Sequence, residues 1–391
     1  MLAVMRLIQG MFAGILNPQV LGMMQDMFRG PARARAFGIF GIIVGLSTAV
    51  GPALGGALIS MTPGTWGWRL VFLINLPIGL VVVPLAAKYL PHTRVKAGPV
   101  RQVIGKFDLG GVFLVGLSVV LAMFPFLSSS GEGRSGTHPN AFNPFWLLIG
   151  AAIAMGLTFW WEKRAHARGH EVLLDPQLIH NPSFMYGVAT SFFYFAGFTS
   201  IFIVVTLYLQ QGNHWSAWHA GLAAVPFALT SAISSGMSGR LVNIYGRKVP
   251  IFGALSVSIA MLALAACALW VPMPQQPFAV IVVMAVAGAG SGMLISPNQA
   301  LTLEEVPQPL AGTAAALLQT FQRLGTAIGL AVVTTFFFRG VAGLWGRSGY
   351  SWALAVASIG IAIAVFFAFL SSVADARRRR HDHAADPQEV S

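Results

Sequence analysis

Long apolar segments dominate this chain and decide what it can fold into. Only 9% of the residues are charged and the mean hydropathy is +0.72, whereas about a quarter of the residues of a soluble domain are charged. The sequence therefore predicts an all-α polytopic membrane protein. Eleven segments of about 20 residues are long enough to cross a bilayer as helices: 1–24, 36–61, 69–88, 108–128, 143–161, 183–210, 218–238, 250–271, 277–297, 311–338 and 351–373.

The basic residues indicate the orientation of these spans. Most of the 24 Lys and Arg residues fall in alternate connections, such as 29–35 and 377–380. The positive-inside rule places these connections in the cytoplasm. We therefore predict an outside amino terminus, a cytoplasmic carboxyl terminus and a location in the plasma (inner) membrane. Because the cations lie between spans, the pI of about 10.7 points to contact with the lipid bilayer and to no nucleic-acid partner.

Glycine and proline recur inside the apolar segments. The second span carries Gly41 and Gly45 and then Gly51, Pro52, Gly55 and Gly56. Small residues at helical spacing allow a neighbouring backbone to approach closely. We therefore predict that this span packs tightly against another helix and bends. In the first and ninth spans the helix is predicted to break at Pro18 and Pro297, which would leave unwound backbone beside a cavity.

A weak internal repeat relates the two ends of the chain. The Gly-rich first span with Asn17-Pro18-Gln19 is similar to the ninth span with Ser296-Pro297-Asn298-Gln299. An offset of eight spans preserves orientation, as a parallel repeat requires. Spans six to eight precede the second copy and have no counterpart before the first. The repeat predicts that three helices are missing in front of Met1.

Four motifs carry a resemblance to a known family. Arg6-Leu7-Ile8-Gln9-Gly10 is similar to the RxxQG motif, and residues 51–56 match GPxxGG. Residues 68–79 resemble the pattern WRxxFxxNxPxG, and residues 239–248 resemble GxLxDxxGRK. Together they resemble the 14-span drug:proton antiporters of the major facilitator superfamily, which include multidrug exporters. The resemblance implies a major facilitator fold with about 11 of an expected 14 transmembrane helices present.

The resemblance also implies a division of the chain. Residues 1–90 would be the last three helices of the N-terminal bundle and 91–182 two inserted helices. Residues 183–373 would be the C-terminal six-helix bundle, and 374–391 a basic cytoplasmic tail. One departure affects the GxLxDxxGRK loop, where Asn243 replaces the acidic residue. We therefore expect that the salt bridge of this loop is weakened or lost.

Candidate residues for a substrate or proton pathway are polar or aromatic side chains within the apolar spans. A charge in mid-span costs on the order of 3 kcal/mol by insertion scales and must face protein or water. The sequence leaves two roles open for such residues: contact with a substrate, or a purely structural role in helix packing. The candidates are Arg6, Gln9, Asn17, Gln299, Gln319, Arg323 and Phe195.

A second group of candidates would act in conformational change. They belong to the GPxxGG and GxLxDxxGRK patterns, and the resemblance implies that these segments move during alternating access. They are Gly51, Pro52, Gly55, Gly56, Gly239, Gly246 and Arg247.

Two functions remain open at this point. The first is proton-coupled efflux of hydrophobic or cationic small molecules, and the sequence leaves open whether the shortened chain still transports. The second is a non-transporting membrane protein, derived from a transporter, that binds a ligand or partner. The sequence identifies no adaptor protein. The sequence contains no nucleophile–base pair that indicates catalysis. Its histidine-containing segments are interpreted as solvated loop or tail and not as a metal site. We therefore predict no catalytic residues, no metal, no cofactor and no enzymatic activity.

Overall fold

The structure is a computed structural model that describes residues 2–62, 66–89, 108–129, 144–167, 176–304, 306–343 and 349–385. Every regular element in these ranges is helical. The N-terminal part contains six helices: α1 (Leu2–Met27), α2 (Gly30–Met61), α3 (Gly67–Leu73), α4 (Asn75–Tyr89), α5 (Leu109–Ser129) and α6 (Leu147–Ala167).

A single helical turn at Pro176–Ile179 comes next in the chain, and seven helices come after it. They are α7 (Pro182–Leu207), α8 (Ala217–Leu222), α9 (Val225–Tyr245), α10 (Lys248–Trp270), α11 (Gln276–Thr302), α12 (Ala311–Val341) and α13 (Tyr350–Ala385). Local sequence explains several of their ends. The Asn181 side chain caps α7 by accepting a hydrogen bond from Phe184 N at 3.1 Å, and Pro182 begins the helix, where its missing N–H is not needed. At the end of α9, Gly246 adopts φ +54°, a conformation that favours glycine.

The described residues of the eleven predicted spans are mostly helical, with 69–88 and 218–238 each divided between two helices. The helices differ in apolar length. In the described part of the chain, nine helical segments are long and apolar enough to cross a membrane. The apolar stretches of α2 and α5 are shorter, Arg35–Ser47 and Gly110–Phe126. The protein is thus a multi-pass membrane protein whose described regular elements are all helical, while the count of eleven spans stays a prediction. Helix α13 continues without interruption past residue 374, and the predicted division into domains also stays a prediction.

The predicted breaks at Pro18 and Pro297 were wrong. Each proline lies inside a continuous helix, Pro18 in α1 and Pro297 in α11. Proline removes one backbone hydrogen bond, and within a bundle neighbouring helices and local adjustments offset that loss. Asn17 and Gln299 therefore lie on helical backbone, and no unwound segment lines a cavity beside them.

The packed core lies in the C-terminal helices. About half of the most apolar segment is buried in α10, α11 and α13, compared with 11% in α1 and none in Arg69–Tyr89. Small residues bring the backbones close: a Cβ at Gly329 of α12 would clash with the backbone of Ala196 in α7. The close approach maximises van der Waals contact, which drives helix association in lipid.

Helices α1 and α2 are adjacent in sequence but dock on different parts of this core. Helix α1 packs mainly on α12, whereas α2 packs on α8, α9 and α11. At one end, Leu21 of α1 and Phe37 of α2 join a buried cluster with Phe184 of α7 and Leu318 of α12. Helices α5 and α6 pair with each other, and α5 contacts α12.

Candidate functional site

An aromatic cluster on α7 and α9 faces helix α2. Phe198 lies at its centre, with ring centroids 5.5 Å from Phe195, 5.4 Å from Phe202 and 6.0 Å from Phe227. The Phe202 and Phe227 rings meet edge to face at 4.9 Å. These separations are typical of favourable aromatic pairs. The predicted candidate Phe195 thus belongs to a continuous aromatic surface, which we call the aromatic wall: Phe195, Phe198, Phe202 and Phe227.

A narrow seam separates the aromatic wall from α2. Phe198, Phe227 and Ile295 line one side and Gly41, Val44 and Gly45 the other. The enclosed cavity has a volume of about 10 Å³, which is at the lower limit for one water molecule. The seam is therefore closed in this conformation.

Glycines hold the seam closed over much of its length. A Cβ added at Gly45 would lie 3.1 Å from Ala232 N, and one at Gly41 would meet the Ser235 side chain. Two hydrogen bonds cross the seam, from Ser296 Oγ to Phe37 O at 2.7 Å and from Ser235 Oγ to Gly38 O at 3.4 Å. The predicted close packing of α2 is therefore confirmed at Gly41 and Gly45.

The GPxxGG segment contributes only one such contact. A Cβ at Gly56 would lie 2.5 Å from Ala217 O in α8. At Gly51 and Gly55 a Cβ would meet nothing within 4 Å, so the close approach predicted for these two positions was wrong. The side chain of Pro52 lies outside the described residues. A role of this segment in bending stays a prediction.

A buried polar network lies beside the aromatic wall. Asn298 Nδ2 donates to Gly187 O at 3.0 Å and to Ser191 Oγ at 2.9 Å, and Gln322 Nε2 donates to Ser191 Oγ at 3.5 Å. The candidate Gln299 is 3% exposed, and its Oε1 atom has no hydrogen-bond donor in the structure. A buried acceptor without a donor costs about 1–3 kcal/mol. The Oε1 atom of Gln299 can therefore accept a hydrogen bond from a further donor group.

The other amide candidates and Arg323 do not join this network. Asn17 and Gln319 are half-buried and Arg323 is exposed on α12. None of the three has a hydrogen bond or ion pair to the described residues. An exposed guanidinium inside an apolar span can be solvated only by water, a ligand or further protein.

Arg6 and Gln9 form a separate pair on α1. Arg6 Nη1 donates to Gln9 Oε1 at 3.0 Å, and the guanidinium lies 4.4 Å from the centroid of the Phe72 ring. Both α1 side chains are exposed. The cation–π contact compensates part of the desolvation of Arg6. Sequence similarity found this pair, but only the structure shows that Phe72 of α3 is its neighbour.

The GxLxDxxGRK loop retains an ion pair through a residue that sequence reasoning missed. Arg247 pairs with Asp375 of α13, and Asp375 also accepts a hydrogen bond from Ser183 Oγ at 2.9 Å. Burial, with the nearby Arg379, lowers the pKa of Arg247 to about 10, while Glu304 acts in the opposite direction. Arg247 thus stays charged at neutral pH. The Arg247–Asp375 ion pair therefore offsets the salt bridge whose loss was expected from Asn243. Gly239 and Gly246 lie half-buried at the same end of the bundle.

Comparison with known proteins identifies relatives that are named as transporters or as drug resistance proteins. The chain is 32% identical to a probable actinorhodin transporter of Streptomyces coelicolor over 86% of this chain and 57% of that protein. It is 27% identical to the multidrug resistance protein Stp of Mycobacterium tuberculosis over 83% of this chain and 56% of the relative. It is also 27% identical to the lincomycin resistance protein LmrB of Listeria innocua, over 87% of this chain and 68% of the relative.

The family comparison agrees with these similarities. The chain spans little more than half the length of the first two relatives. A model of the Major Facilitator Superfamily matches residues 1–330, which include the aromatic wall, the seam and the polar network. The chain therefore belongs to the Major Facilitator Superfamily.

Proposed function

We propose that this protein exports hydrophobic or cationic small molecules by alternating access, with protons as the driving ion. The aromatic wall opposite the glycine face of α2 is the observation that carries this proposal. Aromatic faces attract flat apolar molecules and, once water is removed, cations by about 2 kcal/mol or more. Relatives named for multidrug and lincomycin resistance support a drug-like substrate.

Opening of the seam would create the substrate site. Gly41 and Gly45 present no side chains towards α9, so at these two positions the helices can separate without withdrawing large groups from a packed interior. The crossing hydrogen bonds end on Phe37 O and Gly38 O, which are carbonyls of the continuous helix α2. A carbonyl has two acceptor sites, and the bond within the helix remains when the seam opens.

Proton coupling is supported by the family resemblance and needs a group that reaches both sides of the membrane. The two buried carboxylates of the described residues, Glu162 and Asp375, lie near the ends of apolar segments. Mid-span, the described polar groups beside the wall are neutral amides and hydroxyls, together with the exposed Arg323 of α12. We propose that Gln299 and Arg323 stabilise the substrate or a water chain along which protons move.

The experiment is efflux of ethidium, a planar aromatic cation, from vesicles that contain the purified 391-residue chain. An imposed proton gradient should drive ethidium movement, and a protonophore should abolish it. Phe198→Ala removes the central ring of the wall and should weaken ethidium affinity by about tenfold, since aromatic pairs contribute about 0.5–1.5 kcal/mol beyond area burial. Phe252→Ala is the matched control, because Phe252 is 63% exposed on α10.

The outcomes separate the parts of the proposal. Efflux that persists with the protonophore would contradict proton coupling and leave export intact. Ethidium binding that depends on Phe198 without any movement across the membrane would favour the non-transporting binding protein. Equal effects of Phe198→Ala and Phe252→Ala would exclude the aromatic wall as the substrate site.

A further inference from the structure

A polar cleft lies between the α1–α2 connection and the α11–α12 connection. Its volume is about 250 Å³, far more than the roughly 30 Å³ that one water molecule occupies in the liquid. It is separate from the aromatic wall and shares no lining residue with the seam. The polar and charged residues that line it are Gln25, Arg29, Arg33, Glu304 and Gln308.

The cleft presents both donors and acceptors that lack complete partners. Arg33 has no hydrogen bond or ion pair to the described residues. Arg29 donates from Nη2 to Gln308 Oε1 at 3.0 Å, which leaves further guanidinium donors. Gln25 is 5% exposed; its Nε2 donates to Leu303 O, while its Oε1 has no donor. A ligand that both accepts and donates hydrogen bonds would therefore satisfy these groups.

Charge and position narrow the chemistry of that ligand. The described lining residues carry two positive charges and one negative charge, a net charge that a single anion balances. Guanidinium groups such as those of Arg29 and Arg33 bind phosphate oxygens through paired hydrogen bonds. The cleft lies at the ends of the apolar segments Val4–Met27 and Met273–Thr302. Residues at the end of an apolar span lie at the depth of lipid headgroups when the span crosses a bilayer.

We propose that this cleft binds an anionic phosphate ester that carries hydroxyl groups, as in the headgroup of phosphatidylglycerol. Arg29 and Arg33 hold the phosphate. The hydroxyl groups donate to Glu304 and to the free acceptor of Gln25. A phosphorylated polyol from solution has the same chemistry, and the experiment below distinguishes the two sources.

Binding there would connect the two parts of the chain that form the cleft. The hydrogen bonds from Gln25 to Leu303 O and from Arg29 to Gln308 already join the α1–α2 side to the α11–α12 side. A headgroup between them adds contacts to both sides and stabilises the closed arrangement at this end. This consequence rests on the proposed transport cycle, whereas the binding site does not.

Native mass spectrometry of the purified full chain in detergent tests the site. The probes are dioleoylphosphatidylglycerol, dioleoylphosphatidylcholine and soluble glycerol 3-phosphate. We expect phosphatidylglycerol to bind more tightly than phosphatidylcholine. The double variant Arg29→Gln/Arg33→Gln should bind it about tenfold more weakly or worse, as the loss of charge-assisted hydrogen bonds predicts. Arg35→Gln removes the same charge from an exposed neighbour that does not line the cleft and should leave affinity unchanged.

Each further result bears on the proposal. Arg33→Lys keeps the charge but loses the planar fork, so it should bind with intermediate affinity, and it keeps the test decisive if the double variant does not fold. Tight binding of glycerol 3-phosphate that displaces the lipid would support the cleft and assign it a soluble ligand. Equal loss in the Arg35→Gln variant, or no preference for phosphatidylglycerol over phosphatidylcholine, would overturn the proposal. Ethidium efflux is a separate measurement, so its failure would not be confused with failure of this site.

Discussion

Two adjacent glycines of the GPxxGG segment offer a sharp test of the packing of α2. A Cβ at Gly56 would lie 2.5 Å from Ala217 O, whereas an ordinary contact begins at 3.4 Å, so the two backbones must separate by about 0.9 Å. Ala217 O belongs to the first turn of α8, which Ser216 caps, so a local shift is resisted. Overpacking of this kind typically costs about 1–3 kcal/mol.

At Gly55 the same substitution should have the opposite sign. A Cβ there meets nothing within 4 Å. Alanine loses less backbone entropy than glycine in a helix, which stabilises by about 0.5–1 kcal/mol. Gly55→Ala should therefore be neutral or stabilising. The backbone-entropy gain is common to both variants, so they should differ in the free energy of unfolding by the overpacking cost of about 1–3 kcal/mol.

Denaturant-induced unfolding of both variants in the same mixed micelles, followed by tryptophan fluorescence, gives the comparison. The order expected is Gly55→Ala above wild type and Gly56→Ala below it. Equal destabilisation by both changes would show that glycine flexibility, and not close packing on α8, decides the stability of this segment. A reversed order would refute the reasoning altogether.

Two other substitutions test the buried contacts. Asn298→Ala should destabilise the protein by about 1–3 kcal/mol, because it removes the side-chain donor to Gly187 O and one of the two donors to Ser191 Oγ. Asn17→Ala should change little, because the Asn17 side chain has no hydrogen bond to the described residues. Equal unfolding midpoints would contradict the role of the polar network. Asp375→Asn should destabilise the protein by about 3–5 kcal/mol, because it removes one partner of a buried ion pair. Replacing both Asp375 and Arg247 by leucine should recover part of that stability in the same unfolding measurement.

The sequence predicted the positions of the helices well because apolar length is a local property. The span predicted at 250–271 corresponds to α10, Lys248–Trp270. The prediction failed where it treated proline as a stop. Helix α11 continues five residues beyond Pro297 to Thr302, since one missing backbone hydrogen bond is tolerated when the segment is surrounded by other helices.

Pairwise contacts were harder to predict because they join residues far apart in the chain. The spacing of glycines in α2 indicated a close helix contact but not which glycines make it, since the face depends on where α8 and α9 dock. Asp375 looked like part of a basic tail, and its pairing with Arg247 became visible only with both helices in place. A lone acidic residue at the end of the last apolar span was the signal available.

The docking of α1 and α2 bears on how such a protein could move. The two helices contact each other little, and each packs on a different face of the C-terminal helices. A change that opens the seam at Gly41 and Gly45 therefore need not disturb the contact of α1 with α12. The hydrogen bonds of Gln25 and Arg29 at the polar cleft do span both connections. Through these contacts, a headgroup bound in the cleft would oppose the separation of α2 from the core. A bound headgroup would therefore shift the balance between the closed and the open seam at the cleft and not at the GPxxGG segment.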